Sequence, residues 1–415
     1  MRLMVYSHDT FGLGNIRRML AICTHMHASI PDLSILIVSG SPMLQSFRVV
    51  QGIDYIKLPC LKRTELGELG VRFLDLDVAE IVRLRRELIL STVMSYRPDV
   101  VLVDKKPDGL AGELEPSLRH IKCSLPQTRI HLVLRDILDS SRVTVDAWTR
   151  RGYYNILRWF YDRVLVLGDQ SIFDVCEEYQ FPQDLREKVH HCGYVRRQFP
   201  GRSASEIRKE LGVEPEERLV FVTAGGGEDG YELFSASLGA TRSLAQRLPL
   251  KTLLVTGPEL GAEQTQAICR AAQTQHGLQV IKFTDDLMSY MNAADIVISM
   301  AGYNTICELL TLGKRAIVVP RVRPIEEQKI RAERLAGFRA FRTILPDELT
   351  PPILESAIEE ELQLAQSAVP VSTYIDLGAL PRITSIILQK DSSSTVCGFE
   401  PAPIREMLAP TGSEW

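Results

Sequence analysis

Short apolar runs rich in Val, Ile and Leu alternate with helix-length amphipathic stretches from the first residue onward, and nothing else in the chain limits its fold as much. Strands buried on both faces read as continuous apolar runs, and their regular alternation with helices is the pattern of parallel βαβ units. Arg2 to Ser7, Ser34 to Ser39, Asp99 to Asp104, Ile130 to Leu134 and Arg163 to Leu167 make one series. Leu219 to Thr223, Lys251 to Thr256, Val280 to Phe283, Asp295 to Ser299 and Ala316 to Val319 make a second. Two series predict two doubly wound α/β domains, and 415 residues are too many for one compact core. Gly and Pro between Cys192 and Arg202 suit an interdomain connection, so the expected domains are 1–200 and 201–365. A helical segment, 366–390, follows the second sheet, and a Ser-, Pro- and Gly-rich stretch, 391–415, reads as a flexible tail.

Net charge is -4, which leaves no basic excess for a nucleic-acid backbone and excludes a nucleic-acid partner on electrostatic grounds. The eight cysteines form no CxxC pair, and the chain opens on a strand rather than a charged leader, so a cytoplasmic location is expected. No run approaches the roughly eighteen apolar residues that a spanning helix needs. His190 and His191 adjoin Cys192, but neighbours on a strand point to opposite faces, so no metal is expected. Arginines interleave with aliphatics from Ile81 to Leu90, which reads as a core helix with a basic outer face, or as a peripheral contact with anionic lipid.

The chemistry concentrates between Ser299 and Gln328. Asp295 to Ser299 reads as a buried strand, Ala301 to Thr305 as a turn, and Ile306 to Leu310 as the start of a helix whose N–H groups face the strand's carboxyl end. A diphosphate fits such a place. Glu308, one turn in, can accept from two ribose hydroxyls, and Gln328 follows the next strand where an amide can reach a sugar. The competing reading is an ordinary turn with a capping Asn304 or Thr305 and a solvated Glu308. Gly225, Gly226 and Gly227 follow the first strand of the same series, where small residues let the backbone approach a bound anion.

These residues resemble the C-terminal half of glycosyltransferase family 28. The resemblance implies a GT-B fold, two Rossmann-like doubly wound parallel-sheet domains with an interdomain cleft, and a nucleoside-diphosphate sugar as substrate, with no further cofactor. The family's Gly-x-x-Thr/Ser-x-x-Glu turn and later Gln map onto Gly302, Asn304, Thr305, Glu308 and Gln328 as donor-binding residues. Phe283-Thr284-Asp285-Asp286 resembles the family turn in which the residue before the first Asp meets the nucleobase through its backbone, which maps to Thr284. Asp285 and Asp286 are expected to cap the following helix.

After the first strand, Gly12, Gly14 and Asn15 open a helix on the acceptor side. Related transferases place a basic His where this chain has Asn15, and an amide takes no proton at neutral pH. Loss of a positioned base costs about a hundredfold to ten-thousandfold in rate. His8, with Asp9 beside it, stands at the carboxyl end of the first strand and is one replacement; Asp136, at the end of another first-domain strand, is a second. Asp104 begins the turn that carries acceptor contacts or is simply a solvated loop. The expected protein is therefore a glycosyltransferase that moves a sugar, with inversion, from a UDP-sugar to a hydroxyl on a lipid-linked or small-molecule acceptor. A non-catalytic sugar-nucleotide binder or partner subunit is the first alternative and a UDP-sugar 2-epimerase the second. No pattern in the chain fixes an oligomeric state.

Overall fold

The computed structural model describes residues 1–7, 14–42, 44, 50–63, 69–199, 201–364 and 375–389. His8, Asp9 and Gly12, and the tail from Asp391, lie outside them. The first half contains β1 (Arg2–Ser7), β2 (Ser34–Ser39), β3 (Ile53–Lys57), an antiparallel pair β4 (Leu61–Arg63) and β5 (Leu69–Val71), then β6 (Val100–Asp104), β7 (Arg129–Arg135), β8 (Arg163–Leu167) and β9 (Val189–His191). Seven of these form one parallel sheet in the order β3-β2-β1-β6-β7-β8-β9. The second half contributes β10 (Arg218–Thr223), β11 (Leu250–Val255), β12 (Leu278–Ile281), β13 (Ile296–Ser299), β14 (Ala316–Val318) and β15 (Arg342–Thr343), all parallel, in the order β12-β11-β10-β13-β14-β15. Each sheet reverses direction once, between β1 and β6 and between β10 and β13. Such a reversal leaves a crevice at the carboxyl ends of the strands, where open α/β sheets bind ligands.

Side chains alternate across these sheets and are buried on both sides. Leu3 and Val5 enter one hydrophobic cluster, Met4 and Tyr6 another. Leu219 and Phe221 of the second sheet join the same cluster as Leu3 and Val5, while Val220 and Val222 face a third. One apolar core thus runs through both halves.

The helix Pro351–Leu364 packs on Tyr231–Leu244 of the second half, whereas the last described helix, Ala379–Leu388, packs on Gly14–Ser29 of the first. Residues 375–378, just before that last helix, are tied down on the first half. The Asp376 amide donates to Asp169 Oδ2 at 3.0 Å, and Asp376 O accepts from the Tyr194 amide at 2.7 Å.

Three strands of the two parallel sheets escape the sequence pattern, as does the β4–β5 pair, and one shifts. β3, β9 and β15 are edge or near-edge strands of five, three and two residues, too short to show a period. β12 pairs with β11 from Leu278 to Ile281 and ends before Phe283, which is 57% exposed. The expected basic helix is Val78–Tyr96, begun by an Asp77–Glu80 capping box. Its Arg85 is not on the outer face: the guanidinium is buried, 2% exposed, and donates to Glu113 at 2.6 Å.

Candidate active site

The two reversals face each other across a cavity of about 280 Å³. Gly14, Asn15, Arg17, Arg18 and Arg135 form its described first-half wall, and the turns after β10, β11, β12 and β13 form the other. Every expected donor residue is on that second wall: Gly225, Gly226, Gly227, Thr284, Gly302, Asn304, Thr305, Glu308 and Gln328.

The turn after β13 builds an anion cradle. Gly302 adopts extended backbone (φ -63°, ψ 142°) and starts the helix Tyr303–Leu312 with no side-chain cap, so the first-turn N–H groups have no capping partner. A Cβ added to Gly302 meets nothing within 4 Å, which leaves open space at the helix start. Capping by Asn304 or Thr305 is therefore excluded. Opposite stands the β10 turn, where Gly225 (φ 69°) and Gly227 (φ 98°) take left-handed backbone that side chains resist. The Gly225 amide is already held by Thr223 Oγ1 at 3.2 Å, and a Cβ on Gly225 would lie 3.8 Å from Thr305 Oγ1, so the two turns nearly touch.

Glu308 is buried rather than solvated, at 5% exposure, and accepts no hydrogen bond among the described residues. Burial pushes its carboxyl above the ordinary range, opposed by Arg197 and Arg17. A buried carboxylate without donors is costly unless a ligand supplies them, and vicinal hydroxyls do so. Gln328 Oε1 accepts from the Arg321 amide at 3.1 Å, which orients its carboxamide. Thr284 Oγ1 accepts from the Asp286 amide at 3.1 Å.

Several expectations change. Asn304 is on the wall, but its Nδ2 donates to Gly14 O across the cleft at 3.1 Å and its Oδ1 accepts from Arg197, so the side chain bridges the halves. Asp286 makes no capping bond; its carboxylate instead accepts from Ser289 Oγ at 2.5 Å and Arg202 Nε at 3.0 Å. Asp136 is not on the cleft surface. It is fully buried, accepts from Tyr194 Oη at 2.6 Å and from its neighbour's amide at 2.7 Å, and pairs with Arg331 at 3.4 Å. A carboxylate so enclosed has no path to an acceptor. Asp104 is likewise fully buried, paired with Arg18 at 2.7 Å, because a cation within reach satisfies it better than solvent at the strand end.

Sequence reading missed the first-half guanidiniums. Arg17 and Arg18 lie in the first turns of Gly14–Ser29, where the helix dipole disfavours cations, and that mismatch was the available signal. Arg135 donates to Glu327 at 2.5 Å, and Arg321 pairs with Asp229 at 2.8 Å. Glu259, from the β11 turn, places Oε2 2.5 Å from where a Gly226 Cβ would be, and burial, then Glu228, push its carboxyl upward.

Two Rossmann-like parallel-sheet halves enclosing a cleft between their reversal points define a GT-B protein. Residues 219–374 match the model of the glycosyltransferase family 28 C-terminal domain. It is 24% identical over 209 residues to the UDP-N-acetylglucosamine--N-acetylmuramyl-(pentapeptide) pyrophosphoryl-undecaprenol N-acetylglucosamine transferase of Rubrobacter xylanophilus, covering 49% of this chain and 57% of that protein. The same-named protein of Fusobacterium nucleatum is 22% identical over 306 residues, covering 72% of this chain and 79% of its own length. The chain thus spans little more than half of the Rubrobacter relative. Its fold is similar to Acinetobacter baumannii MurG, with TM-score 0.60, 16% identity and coverage of 93% of this chain and 99% of that one. It is also similar to a Listeria monocytogenes structure described as a UDP-N-acetylglucosamine 2-epimerase, with TM-score 0.60, 16% identity and coverage of 93% and 95%.

Proposed function

We propose that the protein is a glycosyltransferase that moves a sugar from a nucleoside-diphosphate donor, UDP-linked, to an acceptor hydroxyl with inversion. Residues 201–365 hold the donor and 1–200 the acceptor, with 366–390 returning to the first half. The observation that carries this reading is the helix start at Gly302–Tyr303, which has no side-chain cap, with the buried Glu308, which accepts from no described residue, one turn away. The helix N-terminus receives the diphosphate, Glu308 the ribose, Thr284 the base and Gln328 the sugar. His8 or Asp9, next in sequence after β1, serves as base, since Asn15 cannot. The relatives' name carries a pyrophosphoryl-undecaprenol acceptor, which makes a lipid-linked acceptor the first to try. No described helix is long and apolar enough to cross a membrane, but Phe73, Leu74 and Leu76, and Leu84 with Leu88 one turn on, are exposed on the first half and suit a peripheral contact.

Thermal-shift titration with UDP, dTDP, GDP, ADP and CDP tests the donor site: stabilisation by one of them, lost in Glu308→Ala, is expected. No stabilisation by any of them defeats the reading. Asn15 on the acceptor wall keeps one second reading alive, a sugar-nucleotide binder without turnover, which predicts UDP binding and no product with any acceptor. The fold is also shared with the epimerase structure, and conversion of UDP-GlcNAc without acceptor would reveal that activity.

A further inference from the structure

The cleft's charge is divided between its walls. Its second-half wall carries Glu228, Asp229, Glu259 and Glu308 against one guanidinium, Arg321, four negative groups to one positive. The described first-half wall carries Arg17, Arg18 and Arg135 and no carboxylate. A diphosphate seated on the second half alone would meet like charge, and the cations able to offset it stand opposite.

Among these, Arg18 is built for the task. It is 2% exposed yet lines the cavity, and Asp104 fixes it from behind at 2.7 Å. Its Nη2 also donates to Asn15 Oδ1 at 3.1 Å, while Nε donates to nothing among the described residues. Its guanidinium carbon lies 5.8 Å from the ring centroid of Tyr303, the first residue of the helix whose free N–H groups face the cavity. Nε is enclosed away from the cavity, so an anion at that helix start would be met by the remaining guanidinium nitrogen, Nη1, which donates to no described residue.

We propose that Arg18 reaches across the cleft to the donor's diphosphate, so that the leaving group is held by the helix start of one half and a guanidinium of the other. This rests on the donor reading above. As the acceptor oxygen bonds to the anomeric carbon, the diphosphate oxygen departs with the electron pair of the broken bond, and the acceptor's proton passes to the base. Arg18 keeps its own protons and donates hydrogen bonds to the growing charge.

The test compares UDP with uridine, which lacks the phosphates, on wild type, Arg18→Gln and the double variant Arg18→Gln with Asp104→Asn, which leaves no unpaired carboxylate. Calorimetry for UDP and ligand-observed NMR for uridine give the affinities. UDP binding should weaken by about tenfold to a hundredfold in both variants, the range of one charged hydrogen bond, while uridine stays within about twofold. Equal loss for uridine and UDP in the double variant overturns the proposal by showing a merely structural role. Unchanged UDP affinity overturns it too and reassigns Arg18 to the acceptor. A wild type that binds none of the five nucleoside diphosphates overturns the donor reading itself, an outcome seen before any variant is made.

Discussion

Asp136→Asn separates a structural carboxylate from a catalytic one. In the structure this group is fully buried and accepts from Tyr194 Oη at 2.6 Å and from Arg331 at 3.4 Å, and the Arg331 side chain is itself 0% exposed. Breaking a buried pair from one side costs about 3–5 kcal/mol, because the surviving charge loses its counter-ion. Asn retains one acceptor oxygen, so the Tyr194 bond falls from charge-assisted to neutral strength and not to nothing, a loss of about 1 kcal/mol. Arg331 keeps Glu327 at 2.9 Å, which places the pair cost at the lower bound. The expected total is about 4 kcal/mol, a fall in Tm of about 5 °C for 415 residues that unfold together. Differential scanning fluorimetry and urea unfolding measure it, with UDP titration on the surviving fold. A variant that melts within a degree of wild type yet turns over about a hundredfold more slowly would refute the argument and restore Asp136 as an acceptor-side acid.

Three further outcomes follow from the site. Glu308 must be ionised to accept from a ribose, and burial raises its pKa, so UDP affinity should begin to fall above the ordinary carboxylate range as pH is lowered; a flat profile down to about pH 4.3 contradicts the assignment. Glu327 is pushed up by burial but held at about 2 by Arg135 and Arg331, below its ordinary 4.5. A depressed folded pKa gives stability that is full above the unfolded value and lost as pH falls from about 4.5 toward 2, on the order of 3 kcal/mol. Glu327→Gln should flatten that limb in acid-unfolding curves. Asn15→His should raise sugar transfer by about a hundredfold or more if the missing base limits the rate, and an unchanged rate in a product assay places the base elsewhere.

Both sheets were legible because their central strands are uniform apolar runs that only a doubly wound sheet buries on both faces. The second wall of the cleft was legible for a related reason: its turns lie at fixed offsets from those strands, so Gly302, Thr305 and Glu308 carry their position in the sequence. The buried cations were not. Arg18 finds Asp104 across 86 residues and Arg331 finds Asp136 across 195, and a charge whose partner is that remote reads locally as solvated surface. Asp104 and Asp136 were misread for the same reason. Each ends a strand in a cleft-forming half, and only the approach of an arginine from another element removes it from solvent.

The apolar cluster shared by the two sheets bears on how this chain can be handled. Tyr303 of the second half stacks 5.9 Å from Tyr194, next to the connection, and the Asp136–Arg331 pair spans the same seam. Cutting the chain near residue 200 would therefore expose one side of a common interior and strand a buried charge on each fragment. The pieces should be poorly soluble when expressed separately and recover only when produced together. The halves are distinct as sheets and as ligand platforms, but as folding units they are one.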